Sequence, residues 1–310
     1  MRTAPAVLVA LACLLALAGC GLGAGAAPGG VRLTITRDFG TRVLHETAHP
    51  KTSGQETVMS LLLRNYSVEN RFGGGFVESI DGTSGGESGG HPVDWFYYVN
   101  GVEAQKGSAD TDVHRGDSIW WDLHDWSATE DVPAVVGSYP EPFVHGIAGK
   151  RLPVRVECAR AAGAACRAVS TRLQQAGVPA ATGALGAGGG PELLRVLVGP
   201  WRELRSERQL QPLESGPRAS GVYAKPSASG TSIALLDAEG RPVRTLGAGT
   251  GLVAATAGQE RVPIWAVTGT DAAGVSLAAG AVDVATLRNR FAVAVTATGA
   301  QALPLVQGAP

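Results

Sequence analysis

The strongest constraint on the fold is the concentration of tryptophan in two neighbouring strand-like segments. Four of the six tryptophans lie in "VDWFYYVNGV" (residues 93–102) and "SIWWDLHDW" (residues 118–126). Aromatic and β-branched residues favour strands, and the Asn100-Gly101 pair in the first segment is a strong signal for a hairpin turn. Because successive side chains of a strand point to opposite faces of a sheet, the two segments predict a sheet that carries large aromatic rings on both faces.

The two aromatic faces need different partners. On the first strand, Trp95 and Tyr97 share one face, while Phe96 and Tyr98 share the other. A single helix covers only one face of a small sheet, so the second set of rings needs a separate partner. Two explanations remain open: a second domain packs on these rings, or they form a platform for a planar or cyclic ligand. The candidate ligand-contacting residues are Trp95, Tyr97, Tyr98, Trp120, Trp121 and Trp126.

The segments before this window complete a small mixed sheet around one helix. "VRLTITRDF" alternates apolar and polar residues and predicts a strand, and "TRVLHETAH" predicts its hairpin partner. "GQETVMSLLLRNYSVEN" has Val58, Leu61, Leu62 and Tyr66 at helical spacing, which predicts the helix. A short strand follows in "GFVESIDG", and "TSGGESGGHPVD" is interpreted as an exposed glycine-rich loop. This arrangement is β-grasp-like.

Two motifs give residues 31–127 a resemblance to a known family. The pattern W-x-Y-x-V-N-G occurs at residues 95–101, and G-D-x-I-x-W occurs at residues 116–121, after "GFVESIDG". Together they resemble the transcobalamin-type C-terminal domain of the soluble-ligand-binding β-grasp group. The resemblance implies a β-grasp fold and a domain that closes over one side of a corrinoid such as cobalamin. The large helical partner domain of the vertebrate carriers is missing here.

The N-terminal residues predict export and lipid attachment. "MRTAPAVLVALACLLALAGC" has one arginine and then an apolar run that is too short for a transmembrane span. Its last four residues resemble a bacterial lipobox, which implies that Cys20 becomes the lipidated mature N-terminus. We therefore expect a signal peptide at 1–19, a flexible tether at 20–30 and attachment to the extracytoplasmic face of the cell membrane.

Two cysteines remain after Cys13 and Cys20 are assigned to the signal and to the lipid. An exported chain meets an oxidising environment, so Cys158 and Cys166 are predicted to form a disulfide, with two buried thiols as the alternative. A zinc site is disfavoured because no histidine follows His145.

Charge and motif content exclude several classes of function. The net charge is −1, charged residues make up 17% of the chain, and acids and bases are mixed, so nucleic acid is not an expected partner. His114, Asp122, His124 and Asp125 match no metal-binding spacing. A Ser-His-Asp hydrolase is disfavoured because no histidine in the second half of the chain can serve as its base. We therefore expect a protein that is not an enzyme and has no resident cofactor.

The remainder of the chain predicts a second unit of a different kind. Residues 128–151 contain several prolines and are interpreted as a linker. In residues 152–310, strand-like segments alternate with helical ones, which predicts an α/β layered domain with a mixed sheet of no recognised family. The predicted fold class of the whole chain is therefore α+β.

Two functional hypotheses of different classes follow from the sequence. The first is a cell-surface lipoprotein that binds a small ligand, with cobalamin or another corrinoid as the candidate, and that delivers it to a membrane importer or retains it. The second is a non-catalytic structural or interaction lipoprotein of the envelope whose aromatic cluster is an interface between domains. The burial of the rings on the second face distinguishes the two.

Overall fold

The structure is a computed structural model that describes residues 27–71, 75–187, 190 and 192–305. We call residues 31–127 the first unit, residues 128–151 the connecting segment and residues 152–305 the second unit. The predicted signal peptide, most of the predicted tether and Cys20 lie outside the described residues. Within the described ranges, no helix is both long enough and apolar enough to cross a membrane.

The first unit contains nine strands and one helix among its described residues. They are β1 (Arg32–Arg37), β2 (Arg42–Thr47), α1 (Val58–Asn65), β3 (Val68–Arg71), β4 (Phe76–Ile80), β5 (Thr83–Ser84), β6 (Gly86–Ser88), β7 (His91–Val99), β8 (Val102–Glu103) and β9 (Ser118–Asp125). The main sheet has the order β2-β1-β9-β7-β6, and β8 pairs with β7. Strands β1 and β9 are parallel, whereas β1 pairs antiparallel with β2 and β7 pairs antiparallel with β9. Strands β3, β4 and β5 form a small separate sheet.

Helix α1 begins at a capping box. The Thr57 hydroxyl accepts a hydrogen bond from the backbone N–H of Ser60, and the Ser60 hydroxyl accepts one from the backbone N–H of Thr57. The buried side chains of the helix pack on the main sheet. The helix ends at Asn65, earlier than the sequence pattern predicts, because residues 68–71 pair with β4 as a strand instead.

The β7–β8 turn forms as the sequence predicts. Asn100 and Gly101 both have positive φ angles, 54° and 77°, which suits the two central residues of a tight hairpin. The Asn100 side chain donates to the Asp117 carboxylate at 2.8 Å and accepts from the backbone N–H of Ser118 at 2.8 Å. Asn100 therefore fixes the turn against the start of β9.

The second unit is built on a seven-stranded mixed sheet of order β11-β10-β12-β17-β16-β18-β19. The first four of these strands are parallel and the last three run antiparallel to their neighbours. Strands β13, β14 and β15 form a separate antiparallel sheet. The elements are β10 (Val154–Cys158), α2 (Gly163–Gln175), β11 (Ala180–Ala184), β12 (Leu194–Pro200), α3 (Trp201–Leu204), α4 (Pro217–Ser220), β13 (Ala224–Pro226), β14 (Ile233–Leu236), β15 (Pro242–Leu246), β16 (Gly251–Ala257), β17 (Pro263–Gly269), α5 (Ala272–Gly280), α6 (Val284–Leu287), β18 (Ala292–Thr296) and β19 (Gly299–Leu303), with 3₁₀ turns at Arg160–Ala162 and Gln211–Ser215.

The two faces of the seven-stranded sheet are covered by different parts of the chain. Helices α2 and α5 pack on one face together with Tyr139 and Phe143 of the connecting segment. The other face packs on β13, β14 and the outer aromatic side chains of the first unit. The connecting segment was interpreted from its sequence as a linker. It contributes buried side chains to the cores on both faces of the seven-stranded sheet. Few helices and several mixed sheets confirm the predicted α+β class.

A disulfide joins the last residue of β10 to α2. The Cα atoms of Cys158 and Cys166 are 5.9 Å apart, and eight positions separate the two residues along the chain. The bond fixes the first turns of α2 to the carboxyl end of β10.

Candidate functional site

The inner aromatic face of the main sheet belongs to the core of the first unit. Trp95, Tyr97 and Trp121 are buried against α1, and the rings of Tyr97 and Trp121 stack with centroids 4.8 Å apart. The Tyr97 hydroxyl donates to the backbone carbonyl of Lys106 at 2.6 Å. Three of the six candidate ligand residues are therefore packed inside the first unit.

The outer aromatic face is buried under the second unit. Tyr98 is 0% exposed and Trp120 is 2% exposed. The Phe291 ring meets both edge-to-face, with centroid distances of 5.6 Å to Tyr98 and 5.4 Å to Trp120. On the face where a ligand was expected to stack, these two candidate residues instead contact the second unit.

Further rings enlarge this contact into a cluster shared by both units. Phe39 lies 4.7 Å from His124, 5.1 Å from Tyr223 and 5.2 Å from Phe291 between ring centroids. Phe96 stacks on His124 at 4.5 Å. We call the set the aromatic interface: Phe39, Phe96, Tyr98, Trp120, His124, Tyr223 and Phe291.

A buried polar network lies beneath the aromatic interface. The Asp122 carboxylate accepts hydrogen bonds from the backbone N–H of Phe39 at 3.1 Å and of Gly40 at 2.8 Å. The Thr36 hydroxyl also donates to Asp122, and it accepts from the Trp120 indole N–H at 2.7 Å. His124 Nδ1 lies 2.9 Å from the second carboxylate oxygen. Each oxygen of this buried carboxylate thus has protein partners, as a buried charge requires.

The Asp122–His124 pair resembles the acid–base pairs of some active sites, but its surroundings indicate a structural role. Both side chains are buried, and rings of both units enclose the imidazole. A substrate has no access to either group in this arrangement. The pair therefore orients His124 inside the aromatic interface.

Trp126 is the one residue of the six candidates that stays half-buried. Its indole N–H donates to the Asp94 carboxylate at 2.9 Å. Burial raises the pKa of Asp94, and the Trp126 hydrogen bond partly opposes that effect. Trp126 and Asp94 therefore form the part of the aromatic window that a ligand could still contact.

Beside this edge, three side chains bring potential metal-ligand atoms within 4.8 Å of one another: His91, Asp125 and Glu239. The two imidazole nitrogens face different carboxylates, with Nδ1 3.6 Å from Asp125 and Nε2 3.3 Å from Glu239. The Arg241 guanidinium also pairs with Glu239. These contacts form an ion-pair network of the kind in which an imidazole lies between two carboxylates. The network joins β7 and β9 to the β14–β15 loop.

A second cluster of charged residues between the units lies around Glu103. Its carboxylate accepts from the backbone N–H of Val132 at 2.8 Å and lies 3.8 Å from the Arg261 guanidinium, which also pairs with Asp131 at 2.7 Å. Burial is the largest cause that raises the pKa of Glu103 to about 8, and the nearby Asp131 adds to it. Glu103 therefore holds a proton more readily in the folded protein than in water.

Sequence reasoning did not identify Phe39, Tyr223 and Phe291 as partners of the aromatic window. They lie far from it along the chain, so no local pattern connects them. The alternation of Thr34 and Thr36 with Leu33 and Ile35 in β1 is typical of a strand with one covered face, so it gave no signal of the second one. All four are buried, which indicates a strand covered on both faces.

Comparison with known families gives a match that lies within the first unit. Residues 55–125 match the family described as Domain of unknown function (DUF4430), less than a quarter of the chain. DUF4430 is a transcobalamin-like family, in line with the resemblance carried by the two motifs. No curated protein matches the sequence significantly.

Proposed function

We propose that this protein is a non-catalytic, lipid-anchored lipoprotein of the cell envelope, in which the transcobalamin-like first unit is fixed to the second unit through the aromatic interface. The observation that carries the proposal is the burial of Tyr98 and Trp120 against Phe291. The aromatic excess that motivated a ligand platform is accounted for by contacts inside the protein. The predicted lipid on Cys20 would hold both units at the extracytoplasmic face of the membrane.

The topology of the first unit supports the β-grasp part of this proposal. A first hairpin, β1–β2, precedes α1, and the last strand, β9, lies in the centre of the sheet parallel to β1. The helix covers one face of the sheet. In this arrangement the opposite face is free to accept a partner, and here the second unit occupies it.

A second candidate function is the binding of a small planar or cyclic ligand, such as a corrinoid, for retention or for transfer to a membrane importer. The half-buried Trp126 ring and the family match of residues 55–125 favour it. One aromatic ring offers about 0.5–1.5 kcal/mol from stacking beyond the area that it buries. We therefore expect such binding to be micromolar at best, on the order of −8 kcal/mol.

Calorimetric titration with cobalamin and cobinamide distinguishes the two functions. The structural proposal predicts no saturable heat and no change in tryptophan fluorescence. It also predicts that acrylamide quenches only a small part of the emission, because five of the six tryptophans are buried. Saturable binding that is lost in Trp126→Ala and kept in the exposed-site control Phe76→Ala would instead establish the ligand function and overturn the structural one.

A further inference from the structure

A cleft rich in arginine lies between the two units, away from the aromatic window. Its volume is about 780 Å³, within the range of small-molecule binding sites. The turn between β1 and β2 contributes one wall through Gly40 and Thr41, and β15, the end of α6 and the β18–β19 hairpin contribute the others.

The charge of the cleft is unusual for this chain. Arg244, Arg288 and Arg290 line it, and no Asp or Glu side chain is among its lining residues. The protein as a whole carries a net charge of −1. Three guanidinium groups in one cleft repel one another, and an arginine stays protonated at every physiological pH. The side chains that line the cleft therefore carry a net positive charge on a nearly neutral protein.

Partners inside the protein occupy only part of this donor capacity. At the rim, Arg288 pairs with Glu46 of β2, and Arg244 donates to the Gln301 side chain of β19. The nearby Asp271 carboxylate accepts from the backbone N–H groups of Gly249 and Gly274. Each rim guanidinium retains further N–H donors, because a guanidinium has five.

Arg290 is the most informative of the three. Its Nη1 is buried and has no hydrogen-bond partner among the residues that the structure describes. A buried donor without a partner is unfavourable, and more so when the group is charged. Arg290 also lines the cleft, so its guanidinium is a candidate contact for an anion bound there.

The backbone around Arg290 is held in place by the first unit. A Cβ atom at Gly40, where φ is +78°, would lie 1.9 Å from the Asn289 carbonyl oxygen, so only glycine permits this approach. The Asn289 backbone N–H donates to the Gly137 carbonyl at 3.2 Å. The position of Arg290 is therefore set by the contact between the units.

We propose that this cleft binds a small polyanion, a molecule or headgroup that carries phosphate or carboxylate groups, with Arg290 as the central contact and Arg244 and Arg288 at the rim. Guanidinium groups hold such oxygens with paired, charge-assisted hydrogen bonds. This site goes beyond the proposed structural function and does not depend on it.

The test uses the purified full chain with Cys20→Ala, titrated calorimetrically with inorganic phosphate, pyrophosphate and citrate. We expect saturable binding that weakens as salt is added, because mobile ions screen the charges. Arg290→Gln should weaken it about tenfold or more, the effect of a lost charge-assisted hydrogen bond. Arg244 lies on a strand and is exposed. Arg244→Gln should also weaken binding, and this second test does not depend on a buried position.

Arg167→Gln is the matched control, because Arg167 is exposed on α2 and does not line the cleft. It should bind like the unaltered chain. Sedimentation with phosphatidylglycerol vesicles, compared with neutral vesicles, separates a lipid headgroup from a soluble ligand. If the chain binds phosphatidylglycerol vesicles but none of the soluble anions, and Arg290→Gln abolishes vesicle binding, the site binds a lipid headgroup. The absence of both kinds of binding, or equal binding by all three variants, overturns the proposal.

Discussion

The ring of Phe291 meets the indole of Trp120 edge-to-face, with centroids 5.4 Å apart and planes at 78°. Trp120 lies on β9 of the first unit, whereas Phe291 directly precedes β18 of the second. Edge-to-face pairs are favourable beyond the area that they bury. This contact makes the stability of one unit depend on the other.

Phe291→Ala should therefore destabilise the whole protein. Loss of a buried phenyl ring that leaves a cavity costs about 3–5 kcal/mol. Urea unfolding followed by tryptophan fluorescence measures the loss, and circular dichroism should report the same midpoint. Phe76→Ala, at a surface position 40% exposed, is the control and should cost much less. Two separated transitions in the unaltered chain would contradict the view that the units unfold together.

Asp122→Ala should be among the most damaging polar substitutions in the first unit. It removes the acceptor of the Phe39 and Gly40 backbone N–H groups, and these donors stay buried. Each unsatisfied buried donor costs about 1–3 kcal/mol. The change in the free energy of unfolding should clearly exceed that of Asp110→Ala, an exposed carboxylate. Equal losses in the two variants would show that the network contributes nothing to stability.

Stability should fall as pH rises through the range set by Glu103. The folded-state pKa is raised to about 8, so the folded protein retains a proton that the unfolded chain releases near the ordinary glutamate value. The favourable contribution is complete below about pH 4.5, declines as pH rises, and is lost above about pH 8. The titratable or charged groups that interact with Glu103 include Asp131, Arg261, Tyr98 and Tyr223.

Glu103→Gln should flatten this part of the stability profile, because the amide does not titrate. The change across the window should be on the order of a few kcal/mol. Urea midpoints measured from pH 5 to pH 9 give the slope, and Glu87→Gln at an exposed position controls for net charge. A slope that persists in Glu103→Gln would assign the pH dependence to another group.

The disulfide between Cys158 and Cys166 should be complete in protein purified without a reductant. Thiol labelling of the unreduced Cys20→Ala chain should find neither residue free. Replacement of both by serine should cost about 2–3 kcal/mol, since the closed loop is short. Labelling of both thiols after aerobic purification would be incompatible with the bond.

Cys20→Ala should release the protein from the membrane. Lipid attachment to this residue is predicted by its lipobox-like context, and stable anchoring requires more than one acyl chain. Fractionation of cells that express the variant should move the protein from the membrane to the medium or the soluble fraction. Retention of the variant in the membrane fraction would show that another feature anchors it.

Local patterns in the sequence predicted the local structure well. The alternation of Trp95 and Tyr97 with Phe96 and Tyr98 placed these rings on the correct faces, and Asn100-Gly101 predicted the turn. Periodicity was less reliable where pairing competed with helix formation. Residues 68–71 extend the helical pattern of α1 but pair with β4, and the charged segment after Trp201 forms only a single helical turn.

Contacts between distant parts of the chain were not predictable in this way. The choice between a ligand platform and a domain interface depends on Phe291, which follows Trp120 by more than half of the chain. Likewise, Arg244 of β15 is far along the chain from Arg288 and Arg290, which both follow α6, and it lines the same cleft only because these two segments are adjacent in the fold. Local patterns in a single sequence do not show which distant residues come into contact in the fold.

The double burial of the main sheet limits how this domain can be exchanged between proteins. A free-standing copy of the first unit would expose the apolar rings of Phe39, Tyr98 and Trp120 to water. Gene rearrangement could therefore move it intact only together with its covering unit, or into a protein that supplies an equivalent apolar surface. In this chain the structural module is the pair of units, because the region that the family match delimits is covered by residues of the second unit.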